Sequence, residues 1–117
     1  MLGPVMSDQP HVSVVVPFHN SERYLGDCIE SLLGQRDPGA AYEVILVDNG
    51  STDRSASVAA KFAGIIVLDE PEPGAYVARN TGMRQARAPG VAFSDSDCVV
   101  APDWLRSCRD GMLDWAT

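Results

Sequence analysis

Three features of this sequence predict an α/β fold built on an open, mainly parallel, Rossmann-like sheet with helices on both faces. Four short runs rich in β-branched residues recur along the chain: Val12–Val16, Glu43–Val47, Ile65–Leu68 and Val91–Phe93. They are nearly continuous in apolar residues rather than alternating, as strands covered on both faces are. Helix-like segments separate them in the order β-α-β-α-β-α-β-α, for which right-handed crossovers on a parallel sheet are the economical solution. Four strands make a small sheet for this architecture, and the chain stops just after a helix, so the fold is expected to be incomplete at its C-terminus.

The elements follow in order. Met1 to Pro10, with Gly3, Pro4 and Pro10, reads as a disordered leader, which leaves 11–117 as the folded part. After the first strand, Asn20 or Ser21 can cap a helix with Glu22 in its first turn. Leu25, Cys28, Ile29, Leu32 and Leu33 then lie on one stripe at helical spacing. Asp37-Pro38-Gly39 lies in a loop. A second helix is expected after Ser51-Thr52-Asp53, turning Val58, Ala59, Phe62 and Ala63 inward and ending at Gly64. The third, Ala75 to Ala86, presents Ala78, Gly82 and Ala86 as a small-residue face against the sheet. A fourth begins at Pro102 and buries Leu105, Cys108 and Met112.

Composition removes several function classes. Of 117 residues, 45% are hydrophobic and 21% charged, which suits one globular domain and not a disordered chain. A formal net charge of −7 and scattered arginines argue against a nucleic-acid partner. Cys28, Cys98 and Cys108 are odd in number and lack CxxC spacing, against a disulfide framework or structural zinc. His11 and His19 are isolated and are read as solvated or capping residues. Without a signal peptide or an apolar run long enough to cross a membrane, the expected location is cytoplasmic, with any attachment to a membrane surface left to regions outside this chain.

In an open α/β sheet, ligands bind beyond the carboxyl ends of the strands. The residues there are Pro17-Phe18-His19-Asn20, Asp48 through Asp53, Asp69-Glu70-Pro71, and Ser94-Asp95-Ser96-Asp97. Asp95 and Asp97 flank Ser96, so in extended backbone both carboxylates face one side. Such a pair suits a hard cation, Mg2+ or Mn2+, able to bridge to a diphosphate. An acidic turn would look the same, and it is the position after the fourth strand that favours the metal. Asp48 ends its strand and is free to accept a hydrogen bond from a base, whereas Ser51, Thr52 and Asp53 serve as helix caps. Gly74 permits close backbone approach, while Gly82 within a helix needs a packing reason. Arg79 suits either a phosphate or an internal salt bridge. Trp104 and Trp115 are read as packing residues.

Several segments together resemble the N-terminal half of family 2 glycosyltransferases. They are Val14-Val15-Val16-Pro17-Phe18-His19-Asn20, Tyr24-Leu25 with Ser31-Leu32-Leu33, and Glu43 through Asp53. Gly74 with Ala78-Arg79-Asn80-Thr81-Gly82 and Phe93-Ser94-Asp95-Ser96-Asp97 complete the set. The resemblance implies a GT-A fold that binds a nucleoside-diphosphate sugar, often a uridine one, with Mg2+ or Mn2+, and transfers the sugar with inversion to an acceptor it does not specify (glycan, lipid or protein). Pro17 and its neighbours Phe18 and Asn20 would line the nucleotide pocket. Asp48 would contact the base, Asp95 the ribose or the metal's surroundings, and Asp97 the metal, with Glu22 near the nucleotide. Cys98 departs from the pattern, standing where relatives frequently carry another acid.

The same resemblance places the general base in a later part of the catalytic domain. Asp103, Asp110 and Asp114 are not positioned for that role, so this chain is expected to hold the donor half and to be inactive in transfer by itself. An uncovered apolar flank near Trp104, Met112, Leu113 and Trp115 would favour self-association. A dehydrogenase is excluded by the missing Gly-x-Gly-x-x-Gly after the first strand. The remaining rival is a non-catalytic half-domain that binds nucleotide or pairs with a partner.

Overall fold

A computed structural model describes residues 10–36 and 41–108. Its elements are β1 (Val12–Phe18), α1 (Leu25–Leu33), β2 (Tyr42–Asp48), α2 (Ser55–Ala60), β3 (Ile66–Asp69), α3 (Ala75–Gln85) and β4 (Gly90–Phe93). All strand pairings are parallel, in the order β3-β2-β1-β4. Each predicted apolar run falls within its strand to a residue or two. Residues 104–108 are helical after a turn at 102–103, so the fourth helix starts two residues later than expected and buries Leu105. Met112, Leu113, Trp115, Asp110 and Asp114 lie outside the described residues, as do 1–9 of the expected leader; Pro10 is buried.

Strand order explains the two layers. The chain moves from β1 to β2 to β3 in one direction, then returns across β1 to β4, and a crossover of constant hand places the returning helix on the opposite face. On one face Val12, Val14, Val16 and Phe18 of β1 meet Leu25, Cys28, Ile29 and Leu32 of α1, joined by Ala59 of α2. On the other, Val15, Ile45 and Val47 meet Ala78 of α3. Successive residues of β1 thus feed opposite cores, which is why its sequence shows no polar alternation. The edge strands differ from the expectation of full burial: Val67 on β3 is 45% exposed and Phe93 on β4 is 42% exposed.

Gly82 has the packing reason its helical position requires. A β-carbon there would overlap the Val15 side chain and press on Val47, so α3 can lie this close to β1 only without one. Helix α2 is shorter than predicted. Its last turn tightens as the Lys61 and Phe62 amides bond back three residues to the Val58 and Ala59 carbonyls, and Ala63 is exposed.

At the amino end of the sheet, Glu43 is fully buried opposite Ser13. The Ser13 hydroxyl donates to it at 2.5 Å, the Arg87 amide at 2.9 Å and Arg87 Nε at 3.1 Å. Burial alone would raise this carboxyl, but the Arg87 amide, the Ser13 hydroxyl and the Arg87 guanidinium outweigh it and hold the pKa below its ordinary value. This cluster fastens the turn between α3 and β4 to the centre of the sheet.

Candidate functional site

A cavity of about 610 Å³ opens at the carboxyl ends of the strands. It is lined by Pro17 and Phe18 at the end of β1, His19, Asn20, Ser21 and Tyr24 after it, Asn49 after β2, Gly74, Ala75 and Arg79 at the start of α3, and Asp95, Ser96 and Asp97 after β4. It lies where strand order reverses about β1, the topological position at which open α/β sheets bind ligands. Seven of the nine residues singled out from the sequence line it. The other two, Asp48 and Glu22, do not.

Asp48 is half-buried, and its Oδ1 accepts the Ser51 amide at 3.0 Å, so it holds the turn after β2 and is not free of local duty as expected. Glu22 is exposed in the turn at 22–24, with its amide donating to Asp53 Oδ2 at 3.2 Å. Neither Asn20 nor Ser21 caps α1 through its side chain; the Ser21 carbonyl accepts the Tyr24 and Leu25 amides instead. Asn20, at φ 47°, turns its Oδ1 to the Thr52 amide at 2.7 Å and the Asp53 amide at 3.2 Å. Left-handed backbone is tolerated by asparagine better than by most side chains. Asp53 accepts both the amide and the hydroxyl of Ser55, at 2.9 and 2.6 Å, just ahead of α2. These bonds, led by the Ser55 hydroxyl, outweigh its desolvation and hold the carboxyl below its ordinary pKa.

His19, expected from the sequence to be solvated or capping, bridges two walls of the cavity. Asn20 Oδ1 is committed to backbone amides, so its Nδ2 must be the group that meets His19 Nε2 at 3.3 Å. Nε2 therefore accepts, and the ring carries its proton on Nδ1, which donates to the Asn49 carbonyl at 2.7 Å. Ser96, the middle residue of the acidic tripeptide, contacts the Ser21 hydroxyl at 2.8 Å and ties the loop after β4 to the loop after β1.

Arg79 meets Asp95 at 3.7 Å, with the two side chains 38% and 66% exposed, a geometry in which water weakens the pair. The donor atoms of Asp95, Asp97 and Cys98 lie within 4.8 Å of one another. Two exposed carboxylates that close, at the mouth of a cavity, suit a divalent cation with coordination positions left for a ligand. The residues therefore fit Mg2+ or Mn2+, the oxygen pair supplying the hard donors. Beneath them the Cys28 thiol contacts the Asp95 carbonyl at 3.5 Å. Burial first, then the neighbouring Cys98, Asp97 and Asp95, push its pKa up to about 12, so it remains protonated.

A parallel sheet with its polar strand ends gathered around a cavity at the reversal point defines an open α/β domain of the doubly wound class. The chain belongs to glycosyl transferase family 2, whose family model matches residues 13–115. It is 36% identical over 104 residues to glycosyltransferase AglE of Haloferax volcanii, a match covering 85% of this chain and 34% of that one. The crystal structure of Staphylococcus aureus TarS 1–349 in complex with UDP-GlcNAc superposes with a TM-score of 0.75 at 28% identity, over 89% of this chain and 31% of that one. Mannosyltransferase PcManGT from Pyrobaculum calidifontis, in complex with GDP-Man and Mn2+, gives a TM-score of 0.76 at 29% identity, over 88% of this chain and 32% of that one. The chain thus spans about a third of the length of these relatives, and its fold is that of GT-A glycosyltransferases.

Proposed function

We propose that this chain is the donor-binding part of a glycosyltransferase that uses a nucleoside-diphosphate sugar, with uridine as the expected base and inversion as the expected outcome. The observation that carries this reading is the convergence of Pro17, Asn20, Gly74, Arg79, Asp95 and Asp97 on one cavity. In it, Pro17, Phe18 and Asn20 border the nucleotide, and Gly74 admits backbone close to the ligand. Phe18, only 2% exposed, belongs to the floor. Asp48 stands at the end of β2 outside the cavity lining, with one oxygen engaged by Ser51, so its proposed contact with the base falls at the cavity's edge.

Asp97 and Asp95 would hold Mg2+ or Mn2+, which when bound neutralises charge developing on the departing diphosphate. Arg79 adds a positive charge at the same wall, its pairing with Asp95 weak enough to be exchanged for phosphate. These groups assist only the leaving side of the reaction. Transfer also requires an acceptor hydroxyl to be deprotonated and aimed at the anomeric carbon, and each of those is a large contribution to rate. Among the described residues, no carboxylate after Asp97 lines the cavity, and the proposal assigns acceptor activation elsewhere.

Calorimetric titration of the chain with UDP in the presence of Mn2+, repeated after chelation, tests the reading. Binding that weakens strongly on chelation is expected. Equal affinity in both conditions would remove the metal from the site, and no binding in either would remove the nucleotide.

A further inference from the structure

Asn49 lines the cavity with every donor it has already engaged inside the protein. Its amide donates to the Phe18 carbonyl at 2.8 Å and its carbonyl accepts from His19 Nδ1 at 2.7 Å. Its side-chain Nδ2 donates to the carbonyls of Glu70 at 2.9 Å and Glu72 at 2.7 Å, and its Oδ1 accepts the Gly74 amide at 3.0 Å. The residue is only 8% exposed. One buried side chain thus closes three bonds to the five-residue stretch from Glu70 to Gly74, which joins β3 to α3 and ends in the cavity wall.

That stretch holds few other bonds. The Glu70 amide donates to the Asp48 carbonyl at 2.8 Å and its carboxylate accepts from the Thr81 hydroxyl and the Glu72 amide, while Pro71 and Pro73 can donate none. Gly74 sits at φ 127°, a conformation open to glycine and costly for other residues, and it directly precedes Ala75 and the first turn of α3. Without the Asn49 side-chain amide, the carbonyls of Glu70 and Glu72 and the amide of Gly74 lose a partner at once, and the wall is left with the Glu70 anchorage and the first turn of α3.

We propose that Asn49 is a positioning residue for the donor site: it clamps residues 70–74 so that Gly74 and the start of α3 stand where a nucleoside diphosphate needs them, and nucleotide affinity depends on that clamp. The proposal rests on the reading of the cavity as a donor site. Closed clamp and bound nucleotide favour one another, so each must raise the population of the other by the same factor.

Amide hydrogen exchange at Gly74 and calorimetry with UDP and Mn2+ on the full chain test this together. In Asn49→Ala, Gly74 exchange is expected to rise at least about tenfold and UDP affinity to fall about tenfold, at a temperature where the variant is fully folded by circular dichroism. In the unmodified chain, saturating UDP with Mn2+ is expected to slow Gly74 exchange, a measurement that needs no variant and stands if Asn49→Ala fails to fold. Faster exchange in the variant with unchanged UDP affinity, or ligand-independent Gly74 exchange in the unmodified chain, overturns the clamp and leaves the donor site intact. An unmodified chain that does not bind UDP overturns both.

Discussion

At the amino end of the strands Glu43 is completely buried and accepts from Ser13 and from both the amide and the guanidinium of Arg87. At the carboxyl end Asp95 and Asp97 stand exposed, the first meeting Arg79 at 3.7 Å and the second receiving the Cys98 thiol at 3.7 Å. The same chemical group serves opposite ends. Where the protein supplies every partner, a carboxylate fixes the fold and has no capacity for a ligand. Where it supplies few, the pair contributes little to stability and keeps its oxygens for something not yet bound.

The comparison predicts opposite phenotypes. Asp97→Asn removes a charge from the proposed cation site with little change in shape. It is expected to abolish the metal-dependent part of UDP binding and, in an enzyme completed by its acceptor half, to cost about 10²–10³ in rate, while thermal unfolding stays at or above the parent value. An unfolding midpoint that drops instead would place Asp97 with the structural carboxylates.

Glu43→Gln should do the reverse. Replacing a buried, hydrogen-bonded charge whose partner remains is expected to cost about 2–3 kcal/mol, read as a lower urea midpoint at unchanged slope, with UDP affinity retained in the folded fraction. The pH dependence follows from the direction of the Glu43 shift. Its folded pKa lies below the ordinary value of 4.5, so its contribution is complete above that value and is lost as pH falls through the lower, folded one. Urea midpoints measured downward from pH 5 should therefore fall less steeply in Glu43→Gln than in the parent; parallel curves would assign the acid sensitivity to other groups.

Two smaller effects sharpen the boundary. Gly82→Ala favours the isolated helix by about 1 kcal/mol, yet overlap with Val15 should reverse the sign and leave a net loss of about 1–2 kcal/mol in chemical unfolding. A more stable protein would mean that α3 can shift outward freely. Asp53→Ala should lower the melting temperature slightly, because the Ser55 and Glu22 contacts go, and leave UDP binding in place. Loss of binding in fully folded Asp53→Ala would move Asp53 into the site.

These contrasts also show what was legible in the amino-acid pattern. β1 and β2 were readable because both of their faces are buried, which makes composition and position agree. The acidic tripeptide was readable from its strand end, but Asp95 and Asp97 meet through a turn at 96–97, closed by the Cys98 amide on the Asp95 carbonyl at 3.1 Å, and not through the extended backbone expected. Asn49, His19 and Ser96 were not, since their importance lies in bonds to residues between 21 and 75 positions away, which no local spacing encodes. Asp48 shows the converse: a strand-end carboxylate looked available, but a three-residue turn already claims one of its oxygens. The buried Glu43 left a trace, a lone charge inside an apolar run, whose partner Arg87 lies 44 residues on.

The pairing of β1 with β4 has a consequence in time. Val12 of β1 aligns with Gly90 of β4, 78 residues later by subtraction. At a synthesis rate of roughly 5–20 residues per second, the emerging central strand waits about 4–16 s with one edge unpaired before its neighbour exists. Until then the crevice between them, with Asp95 and Asp97 on its far bank, has no second side. Of the strands described, the one that leads to Asp95 and Asp97 is made last, and until then β1 presents an edge open to other partners.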